Sequence, residues 1–270
     1  GYCEVPNPFN PKQVSRVSLR REDVDVIVFW TRNASPLLPY LKELDERGFH
    51  YYFLYTLLDY PELLEPRSPA FETRIATFRT LADAIGPKRV ICRYDPIVVS
   101  TSTPVDFHEE AFARIAKQLE GGTSQCVISF VDIYRKLTRR LRRLAEEGCV
   151  IREPKAEEIA ALADFIAACA RRHGMLVKSC AEIIDLTPWN IHPGKCIDDT
   201  YIASTFGIAV DSHKGPSQRA ACGCVVSKDI GCYDTCLYGC RYCYATSSDE
   251  KTRERHAHHD PKTPSLVRLP

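Results

Sequence analysis

The chain is poor in methionine, tryptophan and net charge. Its 270 residues include one Met, Met175, and two Trp, and 36 basic against 35 acidic residues leave a formal charge of +1. So even a balance excludes a protein that holds nucleic acid chiefly through bulk electrostatics. No apolar run approaches the roughly 20 residues of a membrane-spanning helix, and the longest candidate is Tyr51 to Leu58. No Gly-x-Gly-x-x-Gly follows a strand-like run, which removes the main support for a dinucleotide-binding sheet. The amino end has neither Met nor a charge-then-apolar signal pattern, so a truncated or processed chain is expected. Hydrophobic residues still make up 44%, enough at this length to bury one sizeable core in a soluble, globular protein.

What the chain has in excess is cysteine. There are thirteen, an odd number in a chain too long for a disulfide scaffold, and six of them fall between Cys222 and Cys243. That distribution points to a reducing, cytoplasmic setting and to metal.

The first two thirds alternate strand and helix patterns. The β-branched run Val24 to Trp30 precedes Leu37, Leu38, Leu41 and Leu44 at helical spacing, within a helix expected from Pro36 to Arg47. Phe49 to Thr56 is strand-like, and a helix from Ala70 to Ile85 follows, ended by Gly86-Pro87. A third strand, Arg89 to Arg93, leads to a helix opening at Asp106 with Glu109 as a capping-box partner and closing at Gly121-Gly122. Cys126 to Phe130 and Met175 to Lys178 are further strands, separated by helices over Tyr134 to Glu147 and Ala156 to Arg172.

Five such units predict parallel β-α-β connections and an α/β fold, a partial or permuted (β/α) barrel rather than an open doubly wound sheet. The expected division is a barrel over 1–185, a cysteine-rich, loop-rich segment over 186–246 with one helix from Asp198 to Phe206, and a polar tail over 247–270.

Polar residues gather just after the strands, where the C-terminal face of a parallel barrel collects its functional groups. Arg32, Arg93, Asp95, Asp132, Lys178 and Glu182 are the charged candidates. Asp95, Asp132 and Glu182 are the expected catalytic, substrate-facing carboxylates, while Arg32, Arg93 and Lys178 suit an anionic group of a cofactor or of a small-molecule or nucleotide-like substrate. The run Arg135, Lys136, Arg139, Arg140, Arg142 and Arg143 loads one helix with cations, which keeps nucleic acid open as a partner beside the commoner solvated face.

The cysteines fall into three groups. Cys3, Cys92, Cys126, Cys149 and Cys169 lie at the ragged N-terminus, inside strand patterns or near helix faces, where free cysteine acts as a small hydrophobe. Cys236, Cys240 and Cys243 form Cys-x3-Cys-x2-Cys, three thiols within eight residues, which suits three corners of a [4Fe–4S] cluster better than zinc. Cys180, Cys196, Cys222 and Cys224, with Cys232 in reserve, could close a second [4Fe–4S] cluster or a zinc site.

The spacing of Cys236, Cys240, Tyr242 and Cys243 resembles the motif of radical S-adenosylmethionine (SAM) enzymes, and Tyr242-Cys243-Tyr244 is similar to its form in spore photoproduct lyase. Closer still is the resemblance to the uncharacterised domain-of-unknown-function family 1848. It is carried by Asn7-Pro8-Phe9-Asn10-Pro11, Val28 to Asn33, Arg93-Tyr94-Asp95-Pro96, Phe130-Val131-Asp132, Cys180-Ala181-Glu182 and Asp229-Ile230-Gly231.

The resemblance implies a cluster with one open iron that binds SAM, an electron donor that reduces it, and a 5′-deoxyadenosyl radical that takes hydrogen from substrate. It also implies that Tyr242 packs beside the adenine. Against the radical SAM pattern the motif comes last rather than after the first strand, and Gly121-Gly122-Thr123 looks like a helix stop rather than the SAM-binding Gly-Gly-Glu run. The family's additional strand-and-helix segment is missing, so a barrel with an open seam is expected. A non-catalytic zinc- or iron–sulfur-binding structural module is the alternative reading.

Overall fold

A computed structural model describes residues 1–8, 10–216 and 218–269, with the side chain of Pro11 left aside. Phe9 of the Asn7-to-Pro11 stretch and Pro270 of the polar tail lie outside the described residues. The chain opens with an antiparallel hairpin, β1 (Tyr2–Asn7) and β2 (Asn10–Ser18). Then come β3 (Ile27–Thr31), α1 (Leu41–Glu46), β4 (Tyr51–Thr56), α2 (Phe71–Ile85), β5 (Val90–Ile97), α3 (Val105–Leu119) and β6 (Gln125–Phe130). They are followed by α4 (Thr138–Glu146), α5 (Ala156–Arg172), β7 (Leu176–Cys180), β8 (His192–Gly194), α6 (Asp199–Phe206) and α7 (Asp249–Ala257).

Strands β3 to β8 form one parallel sheet in sequential order among the described residues. Sequential order means that the chain advances one strand at a time in a single direction, so the expected α/β class holds and the sheet is singly wound. Both of its faces are covered. Tyr51, Phe53 and Tyr55 of β4 face a core shared with α2, α3 and α5, while Tyr52 and Leu54 face a second cluster containing Cys196, Ile202 and Cys224. Burial on both faces explains why β4 is an unbroken apolar run rather than an alternating one.

Several expected boundaries move for identifiable reasons. The first ladder begins at Ile27, paired with Tyr51, rather than at Val24. Pro39 has no N–H to donate, so the expected helix from Pro36 becomes a 3₁₀ turn over Ser35–Tyr40 before the short α1. The Asp106 capping box does not form: α3 starts at Val105 behind Pro104, with no side chain bonded to its first turn. Three elements escaped the periodicity, namely the β1–β2 hairpin, β8 and α7. Their sequences carry Pro6, Pro11, Pro193 and Gly194, or, in α7, almost no apolar residue.

No helix among the described residues is long and apolar enough to cross a membrane. The helix-side core contains one buried titratable device. The His108 Nε2 lies 3.0 Å from the Val98 carbonyl oxygen, which can only accept, so Nε2 carries the proton and Tyr94 donates its hydroxyl to Nδ1 at 2.8 Å. Burial pushes the imidazole down to about 4. Because this lies below the unfolded value, the unfolded chain takes up the proton first as pH falls. The stabilisation is therefore complete above about pH 6.5 and declines by roughly 3 kcal/mol toward pH 4. Urea midpoints measured across this window should fall more steeply for the unmodified chain than for His108→Gln. In the same core Phe112 is fully buried against Tyr94. Phe112→Ala should cost about 3–5 kcal/mol in denaturant unfolding.

Candidate functional site

The three-cysteine loop lies across the connections that follow β3, β4 and β6. After β3, Arg32 donates to Glu65 Oε1 at 2.5 Å and to the Tyr242 hydroxyl at 2.7 Å. That hydroxyl in turn donates to Glu65, and Arg74 of α2 stands 3.7 Å from the other carboxylate oxygen. The Glu65 side chain is 0% exposed, so a buried carboxylate shared by two guanidiniums joins the loop to the sheet.

Outside this network, Arg67 donates to the Leu237 carbonyl at 2.6 Å, Arg140 to the Cys243 carbonyl at 2.8 Å, and the Arg241 N–H to the Leu64 carbonyl at 2.9 Å. Gly239 turns the loop at φ +68°, and a Cβ there would run into the Arg67 guanidinium. Only glycine meets both conditions without strain.

Within this loop Cys236 is exposed, Cys240 buried and Cys243 half-buried, and each of the first two feels the charge of the third. Burial pushes the Cys240 thiol up to about 11, and the nearby Arg32 works in the opposite direction. Tyr242 is buried, and its ring stands edge-on to Tyr60 with centroids 5.8 Å apart. The hydroxyl it lends to Glu65 and Arg32 makes it an anchor of the loop. The expectation of packing beside an adenine did not anticipate that bond.

A second set of thiols meets on the opposite face of the sheet. Cys180 ends β7, and its Sγ lies 3.2 Å from that of Cys196. Cys224 Sγ accepts from the N–H groups of Cys196 at 3.2 Å and Ile197 at 3.4 Å, and Cys222 is within reach of Cys224 while bonding Gln218 Oε1 at 3.2 Å. Hydrogen bonding with Cys180 and Cys224, together with burial, raises the Cys196 thiol, while hydrogen bonding with Cys196 lowers Cys180 to about 7 and Cys224 to about 5. Cys232, the reserve ligand, feels Asp229, Arg255 and Cys3 instead. Among the described residues no group of three or more His, Cys, Asp or Glu is already arranged to hold a metal ion.

The charged candidates are partnered with one another or with the chain. Arg93 pairs with Asp95, which also accepts from Ser129 at 2.6 Å. Lys178 stands 3.2 Å from Asp198, and Asp132 2.5 Å from Arg219 on the surface. Glu182 accepts from the Phe130 N–H at 2.7 Å, and burial raises its carboxyl. Arg93 lies beside Cys180 and Cys196, whereas Arg32 lies beside Cys236 and Cys240, so these two candidates divide between two centres. Asp198 and Arg219 were not anticipated. The N-cap position of Asp198, whose carboxylate accepts from Thr200 and Tyr201, was the readable signal for the first.

Of the basic run, Arg140 is turned to the cysteine loop, and the Lys136 ammonium stands 5.2–5.7 Å from the rings of Tyr134, Tyr233 and Tyr244. Removing the shared carboxylate should expose how much the loop depends on it. Glu65→Ala leaves Arg32 and Arg74 buried without a counter-charge, and should cost about 3–5 kcal/mol in urea unfolding. Hydrogen exchange should rise selectively in 236–244.

Neither a curated protein nor a solved structure matches the chain. The family described as Domain of unknown function (DUF1848) matches residues 1–245, a span that takes in the whole parallel sheet and both cysteine groups. The chain belongs to that family.

Proposed function

We propose that the chain is a radical SAM iron–sulfur enzyme in which Cys236, Cys240 and Cys243 carry a [4Fe–4S] cluster at the end of a partial, permuted (β/α) barrel. The observation that carries this reading is the anchoring of the three-thiol loop by Arg32, Glu65, Arg67 and Arg140, all placed after C-terminal strand ends. The donor set fits the group: three thiols within eight residues leave one iron without a protein ligand. Cys236, Cys240 and Cys243 would hold the cluster, which, reduced by an external electron donor, would supply the single electron needed for reductive cleavage of SAM to methionine and the 5′-deoxyadenosyl radical that acts on substrate.

The chain's own residues hold and bias the site. Arg32 opposes the burial that would keep the Cys240 thiol protonated, and Arg140 fixes the carbonyl of Cys243. Arg93 and Asp95 lie within β5 and Lys178 within β7 rather than after these strands, with Glu182 just past β7, and the four are suited to the carboxylate, amine or ribose hydroxyls of SAM or of a nucleotide-like substrate. Asp132, exposed after β6, would contact substrate at the rim. Thirteen free thiols suit a reducing, cytoplasmic setting with an electron donor.

One observation favours the second reading, a non-catalytic metal-binding module. The inner face of the sheet is already filled by the segment carrying Cys196, Ile202 and Cys224. SAM cleavage separates the two readings. After anaerobic reconstitution with iron and sulfide and reduction, the chain should release 5′-deoxyadenosine and methionine from SAM, and Cys240→Ala should abolish release. Zinc with no iron or sulfide after anaerobic purification would establish the module, and full cluster incorporation without cleavage would mark the chain as a fragment that cannot turn over.

A further inference from the structure

The four thiols behind the sheet are brought together by three separate pieces of backbone. Strand β7 delivers Cys180, and β8 pairs beside it with Gly194 opposite Cys180, so Cys196 emerges two residues further along the same edge. A Cβ on Gly194 would lie 2.8 Å from Lys178 Cβ and 3.1 Å from the Ser179 carbonyl, so only glycine allows this close approach. The third piece, Cys222-Gly223-Cys224, is tied down by the Val225 N–H bonding the Ile197 carbonyl at 3.1 Å and by the pairing of Lys214 with Val225. The backbone carbonyl of Cys196 is itself held by the buried Tyr52 hydroxyl at 2.6 Å. Ligands 44 residues apart in sequence are thus positioned by the sheet rather than by a local motif.

We propose that Cys180, Cys196, Cys222 and Cys224 form a mononuclear tetrathiolate zinc site, separate from the Cys236–Cys243 loop. Its compactness selects the metal. A cubane cluster places four irons and four sulfides between its cysteines and spreads the thiolates over its corners. Here Cys180 and Cys196 are 3.2 Å apart, and Cys224 reaches both Cys196 and Cys222. A tetrahedron with Zn–S bonds of about 2.3 Å has sulfurs about 3.8 Å apart, so the first pair need open by only about half an ångström. Cys222 must also exchange its bond to Gln218 for the metal.

Two further features match such a centre. The Cys196 and Ile197 N–H groups aimed at Cys224 Sγ are the donors that a metal thiolate accepts. Four thiolates around Zn²⁺ carry a net charge of −2, and Arg93, Arg219 and Lys195 all stand within electrostatic reach of these sulfurs. Binding exchanges up to four thiol protons for one Zn²⁺, with no electron transferred. The site would lock β8 and the 196–226 segment onto the sheet.

Metal analysis of the full chain, produced with zinc and iron both available, tests the proposal without reference to SAM cleavage. One zinc per chain is expected. It should persist in the combined Cys236→Ala, Cys240→Ala, Cys243→Ala variant and be lost in the Cys196→Ser, Cys224→Ser variant. X-ray absorption at the zinc edge of the unmodified chain, which does not depend on any variant folding, should read four sulfur neighbours at about 2.3 Å. Iron and sulfide retained in the triple variant would overturn the assignment. So would fewer than four sulfurs, zinc that survives the Cys196 and Cys224 substitutions, or a metal-free chain with a Cys180–Cys196 disulfide.

Discussion

Glu65 is the group on which the C-terminal third of the molecule hangs. Its carboxylate has no exposure, and it is shared by Arg32 from the end of β3, Arg74 from α2 and the hydroxyl of Tyr242. Taking three charges out of water is expensive, and a well-packed apolar cluster could replace them without loss of stability. What the charges add is position. An apolar cluster would tolerate Tyr242 in several rotamers, whereas a carboxylate that needs two cations and a hydroxyl donor accepts few. Fixing Tyr242 fixes Cys240 and Cys243 on either side of it, and the Arg67 and Arg140 bonds to Leu237 and Cys243 then leave the loop little freedom. The anchors come from three strand connections, those after β3, β4 and β6, so the position of the loop depends on the sheet.

The same sheet carries a second cysteine group with the opposite character. The Cys236–Cys243 loop belongs to the helix-side core through Cys240 and Tyr242, whereas Cys180, Cys196, Cys222 and Cys224 belong to the other face. Arg32 serves the first centre and Arg93 the second. Strand alternation is the reason: Arg93 lies between Cys92 and Tyr94, both of which face the helices, and so it must point to the face that holds Cys180. A single sheet thereby keeps two sets of thiols apart, with Arg32 and Arg67 near one and Arg93, Arg219 and Lys195 near the other.

The parallel strands were legible because they are buried on both faces. Runs such as Tyr51 to Leu54 have no polar interruption and can hardly be anything else once the helices beside them are recognised. Helices α2, α3 and α5 were legible for the converse reason, since Phe78, Phe112 and Ile166 sit on narrow apolar stripes. What could not be read was structure held by its surroundings. His192-Pro193-Gly194 has no strand propensity, and it is a strand because β7 offers an edge and because Gly194 fits against Lys178. The site was legible in the same measure. The local spacing of Cys236, Cys240 and Cys243 singles out the loop that the structure anchors, but the pairing of Cys180 with Cys196 depends on a strand that propensity would reject. Glu65 and Arg74 carried no signal at all, since a loop carboxylate and a helix arginine look like solvated charges until Tyr242 is placed between them.

This dependence orders the assembly of the molecule. The β-α units from β3 to β7 pair with neighbours in sequence, and the chain after β7 packs onto the surface they present. Strand β8 extends the sheet, the 196–226 segment covers its bare face, and the 236–244 loop returns over the strand ends to meet Arg32 and Glu65. A segment interrupted by six prolines and glycines between 188 and 216 forms too little regular structure to hold such a path alone. Its order has to come from side chains that bind it at points, namely Tyr52 at Cys196, Lys178 at Asp198 and Arg140 at Cys243. In the proposed reading, metal bound by the cysteines near those points would fasten several loop segments at once without requiring a larger core.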